Sequence, residues 1–86
     1  MKQFTHCVMD SIGIHARPAG LLARAVKAFD STVVITKADG RSANASKLMA
    51  VMSLGIKTGE TITVTVEGGD EESNTALMEK FCKENL

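Results

Sequence analysis

The sequence predicts an α+β fold in which an antiparallel or mostly antiparallel sheet of four strands carries three helices on one face. Apolar and polar residues alternate in two β-branched runs, at 32–37 and 61–67. Two longer segments, 16–29 and 70–83, repeat their apolar residues at helical spacing. With 86 residues and 44% hydrophobic content, the chain can form one domain with a thin core, and we expect that domain to span 1–86.

The first strand and the first helix occupy the beginning of the chain. Residues 2–9 are expected to form the strand, and residues 10–13 the turn that follows it. The helix is predicted over 16–29, where Gly20 indicates a position of close packing. The apolar stripe of this helix consists of Leu21, Leu22, Ala25, Val26 and Phe29.

The middle of the chain is predicted to hold a hairpin and a short helix. The strands 32–37 and 41–43 are joined by an Ala-Asp-Gly turn. Ser46 is expected to cap a helix over 47–54. Gly55 then ends this helix at the C-terminal glycine position.

The last strand and the last helix complete the element order β-α-β-β-α-β-α. Residues 61–67 place isoleucine and valine on one face and threonine on the other, so the threonine face of the sheet is expected to be solvated. The helix over 70–83 begins with acidic residues, which suit the positive end of its dipole. Its apolar stripe consists of Leu77, Met78, Phe81 and Cys82.

Charge and composition exclude several classes of protein. Ten basic residues balance ten acidic ones, which excludes the basic footprint of a nucleic-acid binder and a general attraction to anionic membranes. The absence of Trp and Tyr excludes a platform for stacking bases. No apolar stretch approaches the roughly 20 residues of a membrane span, and no secretory leader is recognisable. We therefore expect a cytoplasmic protein whose two cysteines, Cys7 and Cys82, are free buried thiols.

One short segment, GIHARPA, carries the residues best suited to phosphate chemistry. His15 follows a turn and stands where the helix starts, and Pro18 fits the first helical turn. If His15 caps the helix, the free N–H groups of Ala16 and Arg17 point towards its ring and form an anion site. The Arg17 guanidinium suits phosphate oxygens, and the positive surroundings favour a neutral, nucleophilic imidazole near pH 7. On these residues alone, a surface histidine without a role remains the stronger interpretation.

The other polar residues predict no second site. His6 and Cys7 are neighbours in a strand, so their side chains point to opposite faces and do not share a metal ion. His6 is expected to be either an edge-strand histidine or a hydrogen-bonded one. The sequence has no Gly-rich nucleotide loop, and we expect neither a cofactor nor a metal.

Three stretches together point to a known family. GIHARPA follows the first predicted strand, LMAVMSLG covers the short helix, and GETITVTVEGGDE covers the next turn and strand. Taken with the length and the element order, they closely resemble HPr, the histidine-containing phosphocarrier of the bacterial phosphoenolpyruvate-dependent sugar phosphotransferase system. The resemblance covers essentially the whole chain. It implies an open-faced β-sandwich, a four-stranded antiparallel sheet covered on one face by three helices.

The resemblance implies a phosphocarrier that acts as a protein substrate and not as an enzyme. In this family Nδ1 of the histidine that matches His15 takes a phosphoryl group from phospho-enzyme I. The carrier then passes the group to the A domain of a sugar-specific enzyme II. Arg17 matches the arginine that contacts the phosphoryl group, and Pro18, beside Ala16, matches the residue that shapes the helix start. We expect a monomer that meets these two partners in turn.

The resemblance also implies a partner-docking surface beside His15. Helical spacing leaves two methionines of the short helix outward and turns Leu48, Val51 and Leu54 inward. Two basic residues of the first helix are expected to steer acidic partners. The predicted docking residues are Leu21, Arg24, Lys27, Met49 and Met52.

Ser46 raises a second hypothesis, a regulatory protein that acts through its own phosphorylation. In HPr proteins of many Gram-positive bacteria, an HPr kinase phosphorylates a serine at the start of this helix, and a catabolite-control transcription factor is a further partner. Here Lys47 occupies that position and Ser46 comes one residue early, so a plain helix cap is the competing interpretation. A carrier in a nitrogen-related or dihydroxyacetone-kinase phosphorelay and an inert small binding domain are the remaining alternatives.

Overall fold

The computed structural model describes residues 1–86 and has the predicted order of four strands and three helices. The element bounds lie within two residues of the predicted ones. None of the helices has the length and apolar character needed to cross a bilayer. The strands are β1 (Lys2–Cys7), β2 (Thr32–Thr36), β3 (Ser42–Asn44) and β4 (Thr61–Glu67). The helices are α1 (Ala16–Lys27), α2 (Leu48–Ser53) and α3 (Glu71–Asn85).

The strands form one antiparallel sheet in the order β1-β4-β2-β3, which confirms the predicted open-faced β-sandwich. β4 is an inner strand, and its Val64 pairs with Phe4 on one side and with Ile35 on the other. Ile62, Val64 and Val66 are fully buried on the helix-covered face. Burying one such side chain stabilises the fold by roughly 1.5–3 kcal/mol. The period-2 pattern of β4 therefore decides which face of the sheet the helices cover.

Helix α1 packs on the sheet through Leu22 and Val26, as the predicted stripe requires. Leu21 and Ala25 belong to the same stripe but are only half-buried, because they lie at its margin. The expectation of a close contact at Gly20 is wrong, since a Cβ at that position would meet no atom within 4 Å. The helical geometry ends at Lys27, two residues earlier than predicted.

Helix α3 turns a partly polar face to the sheet. Met78 is fully buried as predicted, whereas Leu77 is 50% exposed and does not belong to the core. Thr75, Met78 and Cys82, spaced three and four residues apart, form the buried face of α3, and Leu77 lies at its margin. Asn74 is buried beside this face, and its Nδ2 donates hydrogen bonds to Asp30 Oδ1 at 2.7 Å and to Ser31 Oγ at 2.8 Å.

The start of α2 also differs from the prediction. Lys47 is the N-cap residue and its side chain makes no capping hydrogen bond. Ser46 lies one residue earlier, and both its N–H and its hydroxyl donate to Asn44 Oδ1, at 2.9 and 2.7 Å. Ser46 therefore stabilises the turn between β3 and α2 and does not cap the helix. The predicted end of the helix is confirmed, because Gly55 follows it with φ +62°.

The two cysteines and His6 lie in different environments. Cys82 is a free buried thiol, and burial together with Glu79 raises its pKa to about 12. Cys7 is also free but exposed, so the expectation that both thiols are buried is wrong for Cys7. His6 lies on the edge strand β1, one of its two predicted environments, and its Nε2 is buried without a hydrogen-bond partner.

Candidate functional site

The segment GIHARPA begins in a tightly held loop between β1 and α1 and lies at the surface. Gly13 is buried with φ +84°, and a Cβ at that position would lie 2.5 Å from the carbonyl oxygen of Ile56. The N–H of Ile14 donates to the same oxygen at 3.0 Å. Only glycine allows this close approach of the two backbones. The loop therefore presents His15 from a fixed position.

His15 is the N-cap residue of α1, as the sequence predicts. Its backbone is extended (φ −104°, ψ −167°), its carbonyl oxygen accepts from the Ala19 N–H, and its side chain caps no N–H group. The N–H groups of Ala16 and Arg17 donate to no acceptor within the chain. Pro18 is buried in the first turn and has no N–H to satisfy. The start of α1 thus keeps two free donors beside the ring of His15.

A shallow cavity of about 180 Å³ opens in front of this helix start. The imidazole of His15 is 36% exposed, and the guanidinium of the exposed Arg17 makes no ion pair or hydrogen bond within the protein. A free guanidinium beside free backbone N–H groups is a suitable receptor for a tetrahedral anion. The cavity is lined by Asp10, His15, Arg17, Pro18, Leu21, Glu84 and Asn85.

Asp10 is the side chain that sequence reasoning misses at this site. Its Oδ1 lies 3.6 Å from Nε2 of His15 and accepts a hydrogen bond from the N–H of Ile12 at 3.0 Å. With Glu84 it adds negative charge to a cavity for which the sequence predicts only positive surroundings. An aspartate two residues before a loop N–H is typical of an Asx turn. That local pattern is the signal in the sequence that could have identified Asp10.

The end of α3 lies beside the same loop, which local sequence patterns could not have indicated. The carbonyl oxygen of the buried Leu86 accepts hydrogen bonds from the N–H groups of Met9 and Asp10. The Thr58 hydroxyl donates to the carbonyl oxygen of Asp10. These contacts join segments far apart in the chain. They hold Asp10 in place on both sides of its backbone.

A second depression, the α1–α2 groove, lies further along α1. Its volume is about 590 Å³, and three basic side chains line it, two from α1 and one from the N-cap of α2. The predicted residues Arg24, Lys27, Met49 and Ser46 meet in this groove, whereas Leu21 faces the His15 cavity. The lining residues are Gly20, Ala23, Arg24, Lys27, Ser46, Lys47, Leu48, Met49 and Ala50.

The apolar residues of α2 have the exposure predicted for them only in part. Met49 is 72% exposed, as expected, and Val51 and Leu54 are buried. Met52 is half-buried against the core, so it contributes less surface than predicted. Leu48 is exposed, although helical spacing places it inside. It is the first residue of a very short helix and lies over the groove instead of over the sheet.

Known proteins resemble this chain along nearly its whole length. The family model "PTS HPr component phosphorylation site" matches residues 2–84. The phosphocarrier protein HPr of Mycoplasma genitalium is 35% identical over 85 residues, which cover 99% of this chain and 97% of that protein.

Two solved structures share the fold. The histidine-containing phosphocarrier protein of Mycoplasma superposes with a TM-score of 0.90 at 30% identity, covering 96% of this chain and 93% of that one. The phosphocarrier protein HPr of Bacillus anthracis has a TM-score of 0.85 at 36% identity, covering 94% and 95%. Because the family model matches nearly the whole chain and its fold superposes on those of these relatives, the chain belongs to the HPr family of phosphocarrier proteins of the phosphotransferase system.

Proposed function

We propose that this protein accepts a phosphoryl group on Nδ1 of His15 from phospho-enzyme I and passes it to the A domain of a sugar-specific enzyme II. One observation carries the proposal. An exposed imidazole stands at the N-cap of α1, beside two unpaired backbone N–H groups and the free guanidinium of Arg17. Phosphoryl transfer needs mainly positioning and charge stabilisation, and this helix start supplies both.

The residues of the site have distinct roles in the proposed step. The lone pair on Nδ1 of His15 forms the new bond to phosphorus while the bond from phosphorus to the donor breaks. The Ala16 and Arg17 N–H groups and the Arg17 guanidinium bind the transferring oxygens, where negative charge is concentrated. Pro18 fixes the backbone of the first turn, so that these donors keep their direction.

The openness of the site favours exchange between proteins over turnover by this chain alone. The cavity is shallow and lies at the end of a helix, so a partner can bring its own phosphorylated group to the His15 ring. The α1–α2 groove offers Arg24 and Lys27 beside the exposed Met49, which suits a partner with acidic and apolar residues. We infer a small, transient interface with enzyme I and with the enzyme II A domain.

The test is phosphorylation in solution. The chain is incubated with phosphoenolpyruvate, Mg²⁺ and a bacterial enzyme I that is active on its own carrier, and the intact mass is measured. We expect one added phosphate that is lost in acid and absent from His15→Ala. His6→Gln is the matched control, because His6 is the only other histidine, and this variant should be phosphorylated normally. Adding an enzyme II A domain should then remove the phosphate. A folded protein that gains no phosphate would refute the proposal.

A second candidate function, regulation through phosphorylation of Ser46, is favoured by one observation. Ser46 lines the α1–α2 groove together with Arg24, Lys27 and Lys47, so a phosphate on its hydroxyl would meet several cations. An ATP-dependent HPr kinase should add an acid-stable phosphate to the wild type and none to Ser46→Ala, with Ser53→Ala as the control. The phosphorylated form is then tested for binding to a catabolite-control transcription factor. A kinase that leaves Ser46 unmodified would exclude this function.

A further inference from the structure

Asp10 is the only charged residue within ion-pair distance of the His15 imidazole. Its Oδ1 lies 3.6 Å from Nε2, the ring nitrogen that does not accept phosphate in the proposed function. The phosphate-binding groups described above, the backbone N–H groups and Arg17, belong to the first turn of α1. Asp10 belongs to a different segment, the loop that follows β1. The ring therefore shares its cavity with both the start of α1 and a carboxylate.

We propose that Asp10 is a positioning residue for His15. Its carboxylate holds the proton of the neutral imidazole on Nε2 and so leaves the lone pair on Nδ1 for the phosphoryl group. A neutral imidazole has one N–H, and an acceptor placed at one nitrogen draws the proton to that nitrogen. A carboxylate that orients a reacting histidine in this way is a recurring arrangement in enzymes. The inference deepens the proposed function and rests on it.

The Asp10 carboxylate is itself held in place, which a positioning role requires. Its Oδ1 accepts from the Ile12 N–H at 3.0 Å, and its own N–H donates to the Leu86 carbonyl oxygen at 3.1 Å. Its carbonyl oxygen accepts from the Gly13 N–H at 3.0 Å and from the Thr58 hydroxyl. A preorganised acceptor loses little conformational entropy when it engages the ring.

The distance from Oδ1 to Nε2 fits a ring that has not yet bound its partner. At 3.6 Å the two atoms are slightly too far apart for a hydrogen bond. Such contacts are often long in unliganded sites and shorten when the reacting complex forms.

The carboxylate of Asp10 favours the phosphorylated ring of His15 because of the charge that the ring gains in the proposed step. The Nδ1 lone pair forms the bond to phosphorus, the bond from phosphorus to the donor breaks, and the donor keeps that electron pair. Because the proton stays on Nε2, the phosphorylated imidazole carries a positive charge. The carboxylate of Asp10 neutralises this charge at contact distance. When the acceptor takes the phosphoryl group, the bonding pair returns to Nδ1 and the ring is neutral again.

The test compares Asp10→Asn with Asp39→Asn in the full chain. Asp10→Asn keeps an oxygen for the Ile12 N–H and removes the charge, whereas Asp39 is a carboxylate in the exposed turn between β2 and β3, paired with Arg41. The tautomer of His15 is read from ¹⁵N chemical shifts in alkaline solution, without any phosphorylation. We expect the Nε2–H form to predominate in the wild type and in Asp39→Asn, and its share to fall in Asp10→Asn.

The second measurement is the rate at which phospho-enzyme I phosphorylates each variant. We expect Asp10→Asn to react about fivefold more slowly, since a partly exposed ion pair contributes less than about tenfold. Asp10→Glu should recover part of the rate, and Asp39→Asn should equal the wild type. An unchanged tautomer population, or a changed population with an unchanged rate, would overturn the proposal. A failure of phosphorylation in the wild type would refute the proposed function instead, and the tautomer result would still decide whether Asp10 orients His15.

Discussion

Helices α1 and α3 begin in opposite ways. At the start of α3, the Asp70 carboxylate accepts from the Ser73 N–H, and Glu71 Oε2 accepts from the Gly68 N–H just ahead of the helix. The start of α1 has no acidic residue in its first turn, and His15 caps nothing. One helix end is stabilised from within the chain, whereas the other keeps unpaired N–H groups, which the proposed function assigns to the phosphoryl oxygens. Under that proposal, stability and function depend on different helix starts.

The largest effect is expected from a substitution that caps the start of α1. In His15→Asn, the new amide oxygen can cap α1 without adding a charge next to Asp10. We expect a complete loss of enzyme I-dependent phosphorylation, together with a gain of about 1 kcal/mol in the free energy of unfolding. Urea denaturation and intact-mass analysis measure the two quantities. A variant that lost stability would contradict the view that α1 gives up a cap for its function.

Gly13→Ala tests how rigidly the loop before His15 holds the start of α1. The new Cβ would lie 2.5 Å from the Ile56 carbonyl oxygen in a backbone conformation with φ +84°. We expect a loss of about 2–3 kcal/mol of stability and slower phosphorylation, because the loop before His15 must shift. Gly40→Ala is the matched control, since its φ is also positive and its Cβ would meet nothing within 4 Å. Equal losses in the two variants would show that backbone strain, and not the Ile56 contact, determines the cost.

Asn74→Ala weakens the other helix start by removing the hydrogen bonds that Asn74 donates to Asp30 and Ser31. We expect a loss of about 1–2 kcal/mol, because Asn74 is buried and Ser31 Oγ loses a donor. The rate of phosphorylation should stay at the wild-type value. A slower reaction in Asn74→Ala would mean that the two helix starts are coupled.

The same variant should change the acid sensitivity of the fold. Hydrogen bonds from the Asn74 side chain and the Asp70 N–H hold the pKa of Asp30 below its ordinary value. Because the folded pKa is depressed, this stabilisation is present above the unfolded pKa and is lost as the pH falls through the folded one. We therefore expect unfolding midpoints in urea to fall as the pH drops below the ordinary aspartate pKa of 3.8, and less steeply in Asn74→Ala. Parallel curves for the two proteins would contradict this role of Asn74.

The smallest effect is expected from uncapping α3. Asp70→Ala removes the acceptor for the Ser73 N–H, which costs about 1 kcal/mol at a helix N-cap. Phosphorylation should be unaffected, since α3 starts at the end of the molecule that carries the Asp30 contacts and not His15. Thermal unfolding monitored by circular dichroism measures the change. A gain in stability would show that the first-turn glutamates already satisfy this helix start without Asp70.

Local patterns are enough to predict most of the fold. Strand β4 has the predicted bounds because its alternation is strict, and Gly55 ends α2 because a positive φ follows the helix. His15 is predicted correctly as the N-cap of α1, since turn and helix signals meet at that residue. The position of the histidine at the helix start is therefore predicted by local patterns, whereas its proposed role rests on the resemblance to HPr.

The errors arise where tertiary contacts override local preference. Ser46 has the side chain of a helix cap, but Asn44 in the preceding strand binds its hydroxyl. Leu77 has the spacing of a core residue, but the face of α3 that packs on the sheet is the one that carries Thr75, Met78 and Cys82. The Asx turn at Asp10 is a local signal, but the proximity of Asp10 to His15 depends on the loop being held by the far end of the chain. Periodicity carries no information about such long-range contacts.

Helix α1 also fixes the distance between two parts of the protein surface. It carries the proposed phosphate-binding site at its start and the basic residues of the α1–α2 groove along its length. With a rise of about 1.5 Å per residue, His15 and Arg24 are separated by about 14 Å along the axis. Any protein that engages both must therefore keep its phosphorylated side chain and its acidic patch at this spacing. Proteins with no other similarity could share that spacing, and the spacing itself would then be what they recognise in common.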